Sequence, residues 1–277
     1  MATSSSKDQL FLWDHPVSSY AQKIRIALRE KDIPFTAQVP RGLGSGFPNA
    51  TDESFASSNP RIEVPVLVDG DLQIFDSTII LEYIEDKFPE PALLPPRTDP
   101  TARAKARMIE DVCDTQYEGL NWGLGEINWF KRAEGEAAEK LKAQAKHQTK
   151  QLQAWLNERL GGEDYFGGVH GFGWADVCVA PILNRSLTYG LGPEQGSPLA
   201  KWLERISQRP SVQKTFEEYE TATKNTPGYG DLLKKGMLKR EYRDHRLEWM
   251  VKSGGIDIVV EGLKNKNIRF SWPDPLE

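Results

Sequence analysis

The chain has 277 residues, of which 39% are apolar and 27% charged, with a formal net charge of -5. That length and composition fit about two ordinary globular domains, and the acidic balance excludes a polyanion binder, which carries a basic face or tract, so no nucleic-acid partner is expected. Two distant cysteines, Cys113 and Cys178, exclude a disulfide framework and a zinc site, and the absence of any apolar run of membrane-spanning length or of a leader at the Ser-rich start points to the cytoplasm.

In chain order, Leu10 to Trp13 (LFLW) reads as a short buried strand. It stops at Asp14-His15-Pro16, and a helix follows. Ala21, Ile24, Ala27 and Leu28 share its apolar face, while Lys23, Arg25, Arg29 and Lys31 lie mostly away from it. Phe35 to Val39 follows as a second strand. Arg41 to Asn59 reads as a loop around one short helix near Asp52 to Ala56. Pro65 to Val68, the Asp69-Gly70 turn and Leu72 to Phe75 read as a hairpin, and Asp76-Ser77 opens a helix that Pro89 ends. Five prolines between Pro89 and Pro100 mark a stiff linker. Beyond it the pattern is helical. Ala102, Ala106, Ile109, Cys113 and Tyr117 form one stripe, and further helices run over 137–160, 174–189, 198–208 and 211–221. The tail shows a weak helical pattern at Tyr242 to Val251 and an apolar run at Ile256 to Leu263. Its basic residues Lys234, Lys235, Lys239, Arg240 and Arg243 are interleaved with Glu241 and Asp244, which reads as a solvated face.

Three places carry chemistry. If the Val64-Pro65 bond is cis, Val64 turns its N–H and C=O outward and can bridge a peptide ligand. Ser77 at a helix start offers a hydroxyl, a free N–H and the positive end of the dipole to a carboxylate. The adjacent Asp76 can take an ammonium, so the pair suits a zwitterionic amino-acid end. Hydroxyls of Ser18, Ser19 and Tyr20, between the first strand and its helix, can donate to a thiolate. Lowering an alkyl thiol by about two pKa units needs roughly 2.7 kcal/mol, within reach of one charge-assisted hydrogen bond plus a helix-dipole contribution. His15 lies in the same turn.

The segments SSYAQKIRIALREKDIPF, NPRIEVPVLVDG and FDSTIILEYIEDKFPEPALLP, with GFGWADVCVAPIL and LAKWLERISQRPSVQKTFEEY behind them, resemble the cytosolic glutathione transferases over about Leu10 to Glu220. The resemblance is to serine-type, zeta- and tau-like members and to fungal biosynthetic ones. It implies an α+β thioredoxin-like domain at 8–88 and a linker at 89–100. An all-α bundle follows at 101–222, with an extension at 223–277 packed on the bundle. It implies glutathione as co-substrate or cofactor, without a metal. Val64 would bridge its cysteinyl part across a cis Pro65, and Asp76 and Ser77 would hold its γ-glutamyl end. Ser18 would stabilise the thiolate, with Ser19 and Tyr20 as close competitors.

The resemblance also implies a homodimer and a small hydrophobic, electrophilic or unsaturated substrate held between the domains, against Tyr20, Tyr117, Asn121, Trp122, Trp129 and Phe130. Three departures stand out. Glu63 occupies a place where relatives often carry a donor to the glycyl carboxylate, which leaves Arg61 or a residue of the Arg41 loop for that task. Gly173 stands three residues before Asp176, where a capping Ser or Thr is usual. The tail has no counterpart in compact members, yet Trp249, Ile256, Ile258, Val259 and Leu263 are too apolar for a free tail and are expected to pack on the bundle or over the cleft. Three activities fit: thiol transfer to an electrophile, glutathione-dependent cis–trans isomerisation of a conjugated alkene, and ligand binding without catalysis.

Overall fold

Strands β1 (Leu10–Trp13), β2 (Phe35–Gln38), β3 (Val66–Asp69) and β4 (Leu72–Phe75) form one mixed sheet in the order β2-β1-β3-β4. The computed structural model that shows this describes residues 9–41, 52–224, 229–237, 240, 244–270 and 272–276. β1 and β2 are parallel and joined through helix α1 (Ser19–Glu30), while β3 runs antiparallel to both β1 and β4. Gly70 supplies the positive φ of +61° that the tight β3–β4 turn requires. Pairing of Trp13 with Val66, and of Val66 with Phe75, puts the end of β1, the start of β3 and the end of β4 in one row. Three loops therefore leave the sheet at one edge: 14–18, the 64–65 approach and 76–77.

Helix α3 (Ser77–Lys87) and α1 bury Ile80, Leu81, Ile84, Ile24, Ala27 and Leu28 with Leu12 and Leu67 in the main core. Helix α2 (Glu53–Ser58) seats Phe55 against Trp13 and Val66 in a second, smaller cluster. Most of the Gly-rich loop expected before it, residues 42–51, lies outside the described residues.

The back domain is helical throughout: α4 (Pro100–Val112), α5 (Glu118–Asn128), α6 (Gly135–Leu160), α7 (Trp174–Thr188), α8 (Pro198–Ile206) and α9 (Pro210–Lys224). A π-turn, Cys113–Tyr117, separates α4 from α5 within the stripe that the sequence presents as one helix. Gly173 has a physical reason. The linker passes so close that a Cβ there would lie 2.4 Å from the Leu93 carbonyl, which itself accepts from Trp174 N at 2.7 Å. The acid half of the cap survives: Asp176 accepts from Gly173 N (2.9 Å), Phe166 N (3.0 Å) and Trp202 Nε1 (2.7 Å).

The charged side of α1, which the sequence places away from the apolar face, packs against the back domain. Lys23 Nζ meets Glu110 at 2.7 Å and also Asp114. Glu110 takes further hydrogen bonds from Thr78 Oγ1 (2.8 Å) and Trp174 Nε1 (2.5 Å). Arg25 and Arg29 both pair with Glu218 on α9. Lys31 pairs with Glu85 at 2.8 Å and donates to the Phe88 and Pro91 carbonyls, pinning the start of the linker. A helix buried on both sides needs a polar partner for every charge it carries inward.

The extension adds α10 (Tyr229–Lys234), α11 (His245–Lys252) and α12 (Ile256–Lys264). Among the described residues it touches the bundle at two places. Near α10, Tyr229 stacks on Phe130, and Arg240 lies over Phe130 and Trp122. At the far end, residues 272–276 lie along α6. Between these anchors most of the expected packing is not seen: Trp249 is 61% exposed and Ile258 68%, and Ile256 and Leu263 are exposed as well, while Val259 is half-buried. Residues 241–243, where the helical pattern was expected to begin at Tyr242, lie outside the described residues.

Removing the shared acceptor at the domain junction tests its importance. Glu110→Ala leaves Lys23, Thr78 and Trp174 without one of their partners inside the protein, and the loss of stability should be about 3–5 kcal/mol, read as a lower urea midpoint.

Candidate functional site

The row Trp13, Val66, Phe75 defines the floor of the site. On its first side, the turn after β1 is braced from within: Val17 N donates to His15 Nδ1 at 3.2 Å and Ser18 N to the His15 carbonyl at 2.9 Å. Ser18 is the N-cap of α1, and its Oγ accepts from Ala21 N at 3.3 Å. Among the described residues no acceptor takes its hydroxyl hydrogen, which is therefore available to an anion in the cleft.

Ser19 is placed differently. It is 2% exposed and donates to Glu118 Oε2 at 3.0 Å, in a buried chain that continues to Arg185 at 2.6 Å. Tyr20 donates to the Asp114 carbonyl at 2.7 Å. Both hydroxyls are thus engaged at the domain junction, while Ser18 stands at the open end of the helix.

On the second side, the Val64–Pro65 bond is cis. The loop ahead of it is organised by Asn59, which sequence reasoning passed over. Its Nδ2 donates to the Glu63 carbonyl (2.9 Å), its Oδ1 accepts from Arg61 N (2.9 Å), and its carbonyl accepts from Ile62 N (3.0 Å). The run of residues 57–60, Ser-Ser-Asn-Pro, carried the signal, since an Asn beside a proline is a turn-former. Arg61 lies over the Phe75 ring, 5.3 Å from its centroid, and 3.9 Å from Asp76. Arg41, the other candidate donor, is held by Asp52 (Nη2 to Oδ1, 2.7 Å).

On the third side, Asp76 caps α3, accepting from Thr78 N at 3.0 Å and Ile79 N at 3.4 Å with a positive φ of 75°. Such a conformation is costly for a non-glycine residue and marks a position held for its geometry. Ser77, buried, is the first residue of that helix. Ser77 and Ser18 therefore both open helices whose positive ends meet at the same edge of the sheet.

Electrostatics separate the groups of this region. Burial, reinforced by Arg25, pushes His15 down to about 4, so its ring is neutral near pH 7 and accepts from Val17. Burial pushes Asp114 up to about 6 against the pull of Lys23. Burial and the neighbouring Glu118 and Asp114 push the Tyr20 hydroxyl up, so it stays protonated and donates. No group of three or more His, Cys, Asp or Glu suited to a metal ion occurs among the described residues.

Residues 12–92 match the family model for the glutathione S-transferase N-terminal domain, and residues 120–210 the model for the C-terminal domain. A probable glutathione S-transferase GSTU1 of Oryza sativa subsp. japonica is 30% identical over 86% of this chain and 98% of its own. The chain belongs to the glutathione S-transferase family. A stringent starvation protein A homolog of Haemophilus ducreyi is also similar, at 26% identity over 77% of this chain and 92% of its own. The crystal structure of rice GST1 in complex with glutathione superposes with a TM-score of 0.65 at 29% identity, covering 82% of this chain and all of that one.

Within this transferase fold the residues expected to line the apolar site divide. Tyr117 is fully buried and accepts from Gln153 Nε2 at 2.9 Å. Asn121, 1% exposed, joins the Ile182 carbonyl to Ser186. Both hold the back-domain core. Trp122 lies under Arg240, whose Cζ is 4.9 Å from its ring and whose Nε donates to Glu126 at 2.7 Å. Trp129 packs on Tyr189 and Arg185 and, with Asn128, Lys131, Thr223, Tyr229 and Asp231, lines a cavity of about 360 Å³. Its walls come from the back domain and the extension alone, so it is separate from the edge where Ser18, Val64 and Ser77 meet.

The His15 shift fixes a pH dependence. A folded pKa below the unfolded 6.5 makes the native state bind the proton more weakly, so stability is complete above pH 6.5 and falls as pH drops towards 4. His15→Asn keeps an acceptor for Val17 N. It should flatten the acid arm of Tm against pH between 4.5 and 7.5 relative to the parent.

Proposed function

We propose that the chain is a cytoplasmic glutathione transferase that activates the glutathione thiol for addition to a small hydrophobic electrophile. The observation that carries this reading is the convergence of Ser18, Val64 and Asp76-Ser77 on one edge of the sheet through the Trp13–Val66–Phe75 row. Glutathione is an extended tripeptide with a zwitterionic amino-acid end, a central thiol and a terminal carboxylate. Asp76 takes its ammonium, and the hydroxyl and N–H of Ser77, at the positive end of α3, take its α-carboxylate. The Val64 backbone bridges its central residue, Ser18 donates to the thiolate, and Arg61 is the nearest cation for the remaining carboxylate. Addition then consists of attack by the thiolate on the electrophilic carbon: the carbon–sulfur bond forms as the π bond of the electrophile breaks, its electron pair moves to the neighbouring atom, and a proton from solvent replaces the one the thiol lost. The Ser18 hydrogen bond and the positive end of α1 lower the cost of the thiolate.

Family membership and the glutathione complex of the rice relative support this ligand. Leu72, Ile79 and Met108 stand exposed on β4, α3 and α4, an apolar surface suited to a homodimer. No helix among the described residues is long and apolar enough to cross a membrane.

Two measurements test the site. Ser77→Ala should weaken glutathione binding by one charge-assisted hydrogen bond, about 1.5–3 kcal/mol by calorimetric titration; an unchanged Kd removes Ser77 from the site. Ser18→Ala should raise the pKa of bound glutathione, followed by its thiolate absorbance, towards the free value of about 8.5, whereas Ser19→Ala should leave it unchanged. Product analysis with conjugated alkenes then separates a glutathione adduct from a geometric isomer of the substrate, the outcome that would mark the isomerase activity. Glutathione binding with neither product would mark a non-catalytic module.

A further inference from the structure

Helix α6 carries a face that reads a peptide backbone. Gln144, Gln148, Gln151 and Trp155 follow one another at helical spacing along it. Two of the carboxamides each make a donor and an acceptor bond to one residue of the extended segment 272–276. Gln144 Oε1 accepts from Leu276 N at 2.8 Å and its Nε2 donates to the Leu276 carbonyl at 3.1 Å. Gln151 Oε1 accepts from Asp274 N at 3.0 Å and its Nε2 donates to the Asp274 carbonyl at 2.8 Å. Gln148 Nε2 donates to the Pro273 carbonyl at 3.4 Å, and Trp155 packs on Trp272 with ring centroids 6.0 Å apart. Backbone recognition by paired bonds, with an aromatic anchor at one end, is the pattern of a peptide-docking groove.

The arm that delivers this segment is its opposite. Residues 244–270 bury only Gly262, and Leu247, Trp249, Val251, Ile256, Ile258, Val260, Leu263 and Phe270 are all exposed. Ordering such an arm costs conformational entropy that almost no apolar burial offsets within one chain. Its two helices are joined by Ser253-Gly254-Gly255, where Gly254 has a φ of +84°. A two-glycine joint of this kind can open without side-chain clashes.

We propose that the arm is an exchange arm: residues 272–276 of one copy dock on the α6 face of a second copy, and the exchange is reciprocal. The occupant fits by construction, because the segment that the groove holds in one chain is identical in the other. Opening at Gly254-Gly255 frees α11 and α12 to pack against their counterparts, so the exposed apolar side chains cover one another. This contact lies on α6 and the extension, away from the Leu72–Ile79–Met108 surface.

Crosslinking distinguishes exchange from docking within one chain. In the full chain, Gln144→Cys and Leu276→Cys place thiols at the two ends of one paired contact, and the native Cys113 and Cys178 are buried. A short bismaleimide applied to a mixture of the two single variants, one of them mass-tagged, should yield a covalent species carrying one chain of each. The double variant should run mainly as covalent dimer. A double variant that crosslinks only within single chains, or no crosslink at all, overturns the proposal. Truncation after Phe270 should halve the mass found by light scattering at micromolar concentration, and an unchanged mass overturns it as well. Dimerisation through another surface survives this truncation, so the halving reports the arm alone.

Discussion

Everything at the candidate site depends on how α1 is held against the back domain. Its inward charges could not be buried alone. A lysine taken from water into the interior costs several kcal/mol unless carboxylates and further donors complete its surroundings. Glu110 on α4 and Asp114 on the π-turn supply those carboxylates to Lys23, while the Asp114 backbone carbonyl takes the Tyr20 hydroxyl and the Glu118 carboxylate on α5 takes Ser19, in antiparallel order. The ladder fixes the rotation of α1. Ser19 and Tyr20 thereby point into the junction, and Ser18, one residue earlier, is left as the hydroxyl at the open end. Which hydroxyl is left open at the start of α1 is thus selected by an interaction on the far side of the helix.

The front domain was largely legible from sequence because its signals are local. LFLW, the Asp69-Gly70 turn, LQIF and the Asp76-Ser77 helix start each carry their own pattern, and β1 and β4 fall on the expected residues. What was not legible depended on partners far away in the chain. Helical periodicity places Lys23, Arg25 and Arg29 away from the apolar face and goes no further, since a polar face looks the same whether it meets solvent or a carboxylate far along the chain, at Glu110 and Asp114 for Lys23 and at Glu218 for the two arginines. Tyr117 and Asn121 read equally well as ligand wall or core. Only the positions of Gln153, Ile182 and Ser186 show that their polar atoms are spent inside the bundle. Gly173 looked like a lost cap until the path of the linker beside it was known.

The extension shows the same limit from another direction. Its apolar residues argued for packing, yet the contacts it makes with the bundle are chiefly polar or aromatic and lie at its two ends: Arg240 between Trp122 and Phe130, and a backbone read by glutamines. Hydrophobicity in sequence states that a surface wants covering and is silent on which chain covers it.

The ladder along α1 has a consequence for how the protein comes apart. The proline linker and the two separate family matches suggest a chain of two modules, yet α1 contributes to both interiors: its apolar side completes the sheet, and its charged side completes the bundle. A front half cut free would expose Lys23 and Arg29 without their acids and leave Arg25 only Asp14, and a back half would keep Glu110, Asp114 and Glu218 without those cations. Neither fragment holds a balanced interior. The two halves therefore melt as one cooperative unit, and amide exchange in α1 should follow global unfolding rather than the opening of either half alone.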